Sequence, residues 1–320
     1  MIVQRYTDSI KKSWNEFILQ AKNATFLFDR NYMDYHANRF DDYSLVIFDK
    51  KKIIAIFPAN LIGHTIISHQ GLSYGGIITL PKVSLQNSAL IYSSILEYLA
   101  KENIKTIQLK VLPSFYHLYP SDEVDYFMHV LDAKKTKCDV TLTINQNNKI
   151  GFNTNKKRNI KLAKKNELTI SSSNNYTDFW NNILNPNLQK SHGLAPVHTA
   201  EEIMLLHSNF PKEIALYVVL HNRQIIGGTV LFITNNVVHA QYISANEQGK
   251  EFGALDYLFD FLINEKYCNK DTFDFGIVNQ DEGINLGLTY WKEGFGARTY
   301  CHDFYEIKTV NSHLIKNIFP

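Results

Sequence analysis

An internal repeat is the feature that most constrains the fold of this chain. The segment LVIFDKKKIIAIFPA, which begins at Leu45, aligns without a gap on YVVLHNRQIIGGTVL, which begins at Tyr217. Each copy is an apolar run, a short polar turn and a second apolar run, the pattern of a β-hairpin. Because Ile53–Ile54 falls on Ile225–Ile226, the two copies agree in register as well as in order.

A second pair of segments continues the repeat. The segment SALIYSSILEYLAKENI, from Ser88, aligns on GALDYLFDFLINEKYC, from Gly253, and both have apolar residues at helical spacing. A strand pattern follows each of them, TIQLKVL and TFDFGIV. Two windows that agree in order and spacing predict a duplicated α/β domain. We expect two tandem domains, residues 1–150 and 151–320, each with a mixed, mostly antiparallel twisted sheet flanked by helices.

Each half is expected to open with helices and to continue as a β-meander. The helical segments are SIKKSWNEFILQA in the first half and NKKRNIKLAKK and NYTDFWNNILN in the second. The strands of the first meander are YSLVIFD, KIIAIFPANL and HTIISH, and those of the second are EIALYVVL, QIIGGTVLFI and VVHAQYISA. Asn235 and Asn236 predict a hairpin turn within the second meander.

Composition excludes several classes of protein. Of the 320 residues, 45% are hydrophobic and 20% are charged, which is typical of a globular chain. A net charge of +2 predicts neither a nucleic-acid-binding surface nor a polybasic membrane patch. Three cysteines without metal-ligand spacing indicate a reducing compartment and no metal site. We therefore expect a cytoplasmic monomer or homodimer that neither binds nucleic acid nor inserts into a membrane.

The loop between the last meander strand and the next helix is the first candidate site. Gln248, Gly249, Lys250 and Gly253 stand there, and backbone N–H groups at a helix start are left unpaired. Such groups bind phosphate, and Lys250 would add positive charge. The alternative is a turn in which glycine only relieves backbone strain. Asp256, in the first helical turn, would repel phosphate, so we expect it to hold hydroxyl or ammonium groups of a substrate or simply to complement the helix dipole.

Other candidates have an equally plain structural alternative. Tyr290 is a candidate general acid or a half-buried core tyrosine, and Lys292 is expected to be solvated or to pair with the helix dipole. Asp274 and the nearby Asn279, Asp281 and Glu282 would orient an amine, take its proton or cap turns.

Three further candidates come from the first half and from its alignment on the second. Tyr74, in GLSYGG, would stack on a base or pack in the core. His69 and Gln241 align in the repeat at the ends of corresponding strands and are candidate substrate contacts.

Several segments resemble a known superfamily. A meander followed by a glycine-bearing loop, a helix and a strand is the layout of GNAT acyltransferases. YWKEGFG, from Tyr290, resembles the endings of GNAT and of FemABX-like tandem-GNAT proteins, and KKRNIKLAKK, from Lys156, resembles the helix that opens the second FemABX-like domain. GLSYGG, SHGLAP, QYISANEQGKEFGALD, DFGIVNQDEG and KEGFGARTYCHDFYE are similar to tandem-GNAT sugar N-acyltransferases. The loop departs from the usual phosphate motif, because Lys250 and Leu255 stand where other residues are common.

The resemblance implies a transferase that moves an acetyl or 3-hydroxyacyl group from acyl-CoA to the amine of a nucleotide-linked amino sugar such as dTDP-3-amino-3,6-dideoxygalactose, for O-antigen or other surface polysaccharide, without a metal. The implied catalytic residues are Tyr290, Asp274 and Asn159. The implied coenzyme A contacts are Tyr242, Ile243, Ser244, Gln248, Gly249, Lys250, Phe252, Gly253 and Ala254, with backbone amides of 242–245 as oxyanion donors. The implied sugar-nucleotide contacts are His69, Tyr74, Arg158, His192, Gln241, Asp256 and Asn279.

Two other functions remain open at this point. A FemABX-like transferase would take an amino acid from aminoacyl-tRNA to extend a peptidoglycan peptide, which calls for a basic surface. A tandem domain that binds a nucleotide sugar without chemistry would explain the degenerate phosphate loop. Release of free coenzyme A from acyl-CoA distinguishes the sugar N-acyltransferase from these two alternatives.

Overall fold

The computed structural model describes residues 1–280 and 283–319, apart from the side chains of residues 191 and 192. The chain forms two compact units. Unit 1 comprises residues 1–139 and 301–320, and unit 2 comprises residues 140–300. The division near residue 150 that the repeat suggested therefore lies eleven residues earlier, after Asp139, and the end of the chain returns to unit 1.

Unit 1 contains the predicted helices and meander, but it opens with a strand, Ile2–Arg5, that was not predicted, and a short strand, Ile78–Thr79, precedes the helix Leu85–Lys101. Its strands are β1 (Ile2–Arg5), β2 (Leu45–Asp49), β3 (Lys52–Phe57), β4 (Asn60–Ile62), β5 (Thr65–Ile67), β6 (Ile78–Thr79) and β7 (Thr106–Lys110). Its helices are α1 (Lys11–Ile18), α2 (Arg30–Met33), α3 (Leu85–Lys101) and α4 (Glu123–Val130). Strand β8 (Lys134–Asn145) begins in this unit and continues into unit 2.

The helices and strands of unit 2 begin beyond β8. Its helices are α5 (Thr154–Lys165), α6 (Tyr176–Phe179), α7 (Asn185–His192), α8 (Ala200–Asn209), α9 (Glu247–Glu251), α10 (Ala254–Phe261) and α11 (Leu286–Glu293). Its strands are β9 (Thr169–Ser173), β10 (Ile214–His221), β11 (Gln224–Ile233), β12 (Val237–Ala245), β13 (Thr272–Ile277), β14 (Asn279–Gln280) and β15 (Gly283–Ile284). Strand β16 (Arg298–Lys308) and helix α12 (Ser312–Lys316) return the chain to unit 1.

Unit 1 contains two groups of paired strands. One has the order β1-β2-β3-β6, and the other has the order β4-β5-β7-β16 with the first residues of β8 beside β16. The apolar face of α3 packs on them through Ile91, Ile95 and Leu99, all of which have no exposed surface. Ile307 of β16 and Ile315 of α12 belong to the same core. The last twenty residues therefore complete the core of unit 1.

Unit 2 is built on the strand order β8-β13-β12-β11-β10-β9. All neighbouring pairs are antiparallel except β12 and β13, which run parallel. An aromatic and aliphatic core between the sheet and α10 includes Leu258, Phe259 and Phe273, none of which is exposed. The predicted mixed, mostly antiparallel sheets flanked by helices are confirmed for both units.

The hairpins of the repeat agree in detail. The two central turn residues have positive φ in both copies, at Lys50–Lys51 and at Asn222–Arg223, as a two-residue turn that follows the strand twist requires. A register shift interrupts both hairpins at the same aligned position, between Ile47 and Phe48 in one and between Val219 and Leu220 in the other. A shared bulge is strong evidence that the two units are copies of one motif.

Helices in the described part of the chain are too short or too polar to span a bilayer.

Candidate functional site

The glycine-bearing loop of unit 2 is more ordered than the sequence indicated. Residues 247–251 form α9, whose N-cap residue Asn246 accepts a hydrogen bond from the Gly249 N–H at 2.8 Å. The Gly253 N–H donates to the Lys250 carbonyl at 3.3 Å. The amides of both glycines are therefore already used, and phosphate capture by the loop itself is not what this geometry offers.

The unpaired amides lie at the start of α10. Gly253 is the N-cap residue, with φ of +73°, and no described side chain caps this end. The N–H groups of the first turn, at Ala254, Leu255 and Asp256, precede the first intrahelical bond, which the Tyr257 N–H makes to Gly253. This helix start combines unpaired donors with the positive end of the helix dipole, and both favour an anion.

A cavity of about 440 Å³ opens at this helix start. It is bounded by α5, by the segment from α9 to α10 and by α11. The predicted site residues Arg158, Asn159, Gly249, Lys250, Gly253, Asp256 and Tyr290 line it, together with Asn153, Asn155, Lys156, Leu255, Gly287 and Trp291. Residues distant in sequence are thus brought to one place.

Asp256 has a structural position in this cavity wall. It is 4% exposed, and its Oδ1 accepts from Lys156 Nζ at 2.7 Å and from Trp291 Nε1 at 2.9 Å. Its Oδ2 accepts from Asn159 Nδ2 at 2.7 Å. The prediction that Asp256 holds a substrate is therefore corrected, because internal donors already engage both oxygens. Asn159, predicted to be catalytic, is one of those donors.

The burial of Lys156 could not be recognised from the sequence. It belongs to a run of cations that reads as a solvated helix face, yet it is buried, and its ammonium lies 4.2 Å from the ring centre of Phe295 and 4.5 Å from that of Trp291. Burial lowers its pKa, and the charge of Asp256 opposes that shift. Because Lys156 compensates Asp256, the carboxylate contributes little net charge at the helix start.

The charged and hydroxyl groups that remain available are on the cavity rim. Arg158 is exposed on α5, and Lys250 is exposed on α9, where its Nζ donates to Asn187 Oδ1 at 3.0 Å. Tyr290 is 62% exposed and its hydroxyl accepts a 3.3 Å hydrogen bond from Asn155. The alternative of a half-buried core tyrosine is thus not observed.

Strands β12 and β13 separate before β12 ends. Their parallel pairing covers only Val237–His239 against Thr272–Asp274, although β12 continues to Ala245. The Asn246 N–H donates to Ile226 on the β11 side, and N–H directions alternate along a strand. The amides of Ile243 and Ala245 therefore point into the gap, where β13 no longer pairs with β12.

Gln241 lies on β12 just past the end of that pairing. Its Oε1 is buried, and within the described residues no donor is within hydrogen-bond reach of it. A buried acceptor without a donor is costly, so the gap is suited to a ligand that carries an N–H or O–H group.

Other predicted coenzyme A contacts face protein instead of the cavity. The Tyr242 hydroxyl is hydrogen-bonded to His198 Nδ1 at 2.6 Å, and Ser244 Oγ donates to the Ile183 carbonyl at 3.2 Å. Phe252 packs against the ring of His221, with centroids 5.2 Å apart. Ala254 is fully buried and Gln248 is exposed on α9. Tyr242 and Ser244 could therefore contact coenzyme A only through their backbone atoms.

Asp274, predicted to act on the amine, is buried in a polar cluster. Its carboxylate accepts from His239 Nδ1 at 2.8 Å, from Thr141 Oγ1 at 2.6 Å and from the Gly276 N–H at 2.8 Å. Burial alone would raise the pKa of Asp274, but the His239 charge and these hydrogen bonds lower it to about 2. With its oxygens engaged and its pKa so low, Asp274 is not suited to accept the proton of an amine. His239 was not identified from the sequence.

Lys292 also differs from expectation. It is 2% exposed, and its Nζ donates to the Gly276 and Ile277 carbonyls at 2.8 and 2.9 Å. Burial lowers the pKa of Lys292 to about 8, against an opposing effect of Asp274. The lysine thus holds the irregular end of β13 and is not solvated. Asn279 has a comparable structural position, because its Oδ1 accepts from the Val140 N–H at 2.6 Å instead of facing a substrate.

In unit 1 the predicted substrate contacts are core residues. Tyr74 is 6% exposed and donates to Thr25 Oγ1 at 3.1 Å, so it is not placed to stack on a base. His69 is 3% exposed, and burial together with the neighbouring His36 lowers its pKa to about 3. The side chain of His192, and residues Asp281 and Glu282, lie outside the described residues.

The strand gap of unit 1 is closed, unlike that of unit 2. Strands β5 and β7 pair in parallel over Thr65–Ile67, and the chain then continues to bridge β7: the Lys110 N–H donates to Ser68 Oγ at 2.8 Å, and the Gly75 N–H donates to the Lys110 carbonyl at 2.8 Å. The cavity beside this region measures about 30 Å³. That volume is room for one or two waters.

Comparison with family models and with characterised proteins finds no match for this sequence. Solved structures do resemble it. FemX superposes with a TM-score of 0.68 at 11% identity, covering 99% of this chain and 100% of FemX. A conserved protein of unknown function from Bacteroides thetaiotaomicron gives 0.59 at 12% identity (96% and 99% covered), and L-PGS from Bacillus licheniformis gives 0.58 at 8% identity (98% and 96% covered). At such identities the likeness establishes the fold, which is a tandem GNAT-like fold over the length of the chain.

Proposed function

We propose that this protein is an N-acyltransferase that takes an acyl group from coenzyme A and transfers it to the amine of a nucleotide-linked amino sugar. The observation that carries the proposal is the 440 Å³ cavity at the uncapped start of α10, which has Arg158, Lys250 and Tyr290 on its rim. A carrier with a diphosphate fits the combination of unpaired amides and two exposed cations.

In this proposal the reacting thioester lies at the gap between β12 and β13. The acceptor nitrogen, in its neutral form, attacks the thioester carbonyl, the C–N bond forms and negative charge develops on the carbonyl oxygen. The amides of Ile243 and Ala245 are the donors for that oxyanion. The carbon–sulfur bond then breaks, and the thiolate receives a proton from the Tyr290 hydroxyl while the nitrogen loses its proton to water.

Unit 2 is the favoured carrier-binding half because only its strand gap is open. In unit 1 the hydrogen bonds of Ser68, Gly75 and Lys110 occupy the corresponding space. The amino sugar as acceptor rests on the sequence resemblance alone.

The test is a thiol-release assay with acetyl-CoA and 3-hydroxyacyl-CoA against a panel of nucleotide-linked amino sugars. Arg158, which the resemblance assigned to the sugar nucleotide, lines the cavity proposed here for the coenzyme A diphosphate. Arg158→Ala should therefore raise KM for acyl-CoA about tenfold or more, because a charged hydrogen-bonding pair with phosphate is lost. Tyr290→Phe should lower kcat about a hundredfold with little change in that KM. Lys161→Ala is the matched control: it removes an exposed cation from the same helix, outside the cavity, and should change neither constant.

A second function is favoured by two further observations. Helix α5 presents five exposed cations, Lys157, Arg158, Lys161, Lys164 and Lys165, and the FemX structure matches the chain over its whole length. Both suit a transferase that uses aminoacyl-tRNA, for which a stripe of positive charge would hold the nucleic acid. If this second function is correct, the protein releases no thiol from any acyl-CoA and transfers an amino acid from charged tRNA. Lys161→Ala then weakens tRNA binding.

A further inference from the structure

Two cysteines far apart in sequence meet in unit 1. Cys138 stands on β8 and Cys301 on β16, and both are exposed. Their Sγ atoms and one carboxylate oxygen of Asp303 all lie within 4.8 Å of one another. The third cysteine, Cys268, is exposed in unit 2 and belongs to no such group among the residues that the structure describes. Spacing along the chain gave no sign of this group, because Cys138 and Cys301 are neighbours only in the folded protein.

The carboxylate of Asp303 is already oriented. Its Oδ2 accepts from Lys135 Nζ at 2.5 Å and from the Tyr305 hydroxyl at 3.3 Å. Its Oδ1 is buried and has no hydrogen-bond partner within the described residues. A carboxylate that is oriented through one oxygen, and that has an acceptor to spare beside two sulfurs, is the arrangement that outer hydrogen bonds give to metal ligands.

We propose that Cys138, Cys301 and Asp303 form a zinc site. Two thiolates and a carboxylate are ligands that Zn²⁺ prefers, and tetrahedral coordination leaves the fourth position for water or an external ligand. Binding displaces the two thiol protons to solvent. The ammonium of Lys135 and the two charges of the ion together balance the three negative charges of the ligands.

The position of the site gives it a structural consequence. The chain passes between the units at Asp139–Val140 and at Tyr300–Cys301, next to Cys138 and at Cys301 itself. A bound ion therefore cross-links β8 and β16 at the points where they enter unit 1. The inference is independent of the proposed transfer reaction.

Metal titration of the full chain, reduced and kept under an inert atmosphere, tests the site. Zn²⁺ should bind at one equivalent per chain and raise the melting temperature. Co²⁺, as a spectroscopic substitute, should give a thiolate-to-cobalt absorption band. Cys138→Ser and Cys301→Ser should each remove that band and weaken Zn²⁺ binding about a hundredfold or more, and Asp303→Asn about tenfold.

Cys268→Ser is the matched control and should bind as the wild type does. The proposal is overturned if the reduced wild-type chain takes up no cobalt, or if Cys268→Ser loses the band as fully as Cys138→Ser. It is equally overturned if Cys138→Ser and Cys301→Ser, shown to be folded by circular dichroism, bind both ions like the wild type. Formation of a Cys138–Cys301 disulfide in air, in a protein that binds no metal when reduced, would identify a redox pair instead.

Discussion

A buried charge in unit 2 is compensated by a partner from another helix. The partner is distant in sequence, which is why the position of each residue was hard to predict. Lys156 and Asp256 form a 2.7 Å ion pair in which both side chains are about 5% exposed. Removing one partner would leave the other charge buried, which commonly costs about 3–5 kcal/mol. The pair thus holds α5 against α10 and leaves Arg158 and Lys250 as the exposed cations of the cavity.

Asp274 should make the stability of the protein depend on pH in acid. Its folded-state pKa of about 2 lies below its ordinary value of 3.8, so the folded state releases this proton more readily than the unfolded state does. The associated stability, about 2 kcal/mol, is present above pH 3.8 and is lost as the pH falls towards 2. Chemical denaturation of the wild type and of Asp274→Asn between pH 5 and about 2 measures it, and the variant should lack this part of the decline.

An exposed aspartate provides the control for that measurement. Asp49→Asn, at the end of β2, should decline with pH as the wild type does. A parallel decline of Asp274→Asn and the wild type would show that the bonds to His239 and Thr141 do not favour the ionised form.

At the scale of elements, the junction of α9 and α10 depends on Gly253. Its φ of +73° disfavours any residue with a Cβ, and an added Cβ would lie 2.8 Å from the Asn159 carbonyl of α5. Gly253→Ala should therefore destabilise the protein by about 2–4 kcal/mol, from backbone strain and from a clash with rigid backbone. Urea unfolding measures this loss. In the proposed transferase, KM for acyl-CoA should also rise, because α5 and α10 form the cavity walls.

Gly63→Ala separates the two causes. Gly63 also has positive φ, +57°, but no atom lies within 4 Å of its added Cβ. We expect a loss of about 1 kcal/mol there from strain alone. Equal losses at both positions would mean that the approach of α10 to α5 is not tight.

Elements and their order could be predicted because they depend on local patterns. The hairpin repeat, its helices and the turn at Asn235–Asn236 all follow from spacing of apolar and turn residues, and all are present. Burial of Lys156 could not be predicted, because Asp256 and the aromatic rings around it come from another helix. For the same reason the sequence could not decide whether Tyr74 stacks on a base or packs in the core. It also gave no local signal for the burial of His69 or for the meeting of Cys138 with Cys301.

At the scale of the whole molecule, the two copies of the repeat differ at the gap between their parallel strands. Each unit has one parallel strand pair that covers three residue pairs, but hydrogen bonds of Lys110 with Ser68 and with Gly75 close the gap in unit 1. The open gap lies in the same unit as the 440 Å³ cavity at the start of α10. A duplicated fold in which one copy keeps the opening and the other fills it is consistent with a division between a carrier-binding half and a supporting half.

The path of the chain predicts how the protein can be divided. Unit 2 is one continuous segment, whereas unit 1 needs both ends of the chain. Without residues 301–320, β7 loses its partner β16, and the core loses Ile307 and Ile315, each at most 2% exposed. Residues 1–139 alone should therefore unfold without cooperativity or aggregate through the open edge of β7.

Joining the two parts of unit 1 should restore a cooperative transition. Because Cys138 Sγ and Cys301 Sγ lie within 4.8 Å, a linker of about four Gly and Ser residues can connect residue 139 to residue 301. Denaturant unfolding followed by circular dichroism should show a single steep transition for the joined fragment and for residues 140–300, and a shallow one for residues 1–139. If residues 1–139 unfold as steeply and at the same midpoint as the joined fragment, β16 and α12 do not complete unit 1, and the repeat alone defines the folding unit.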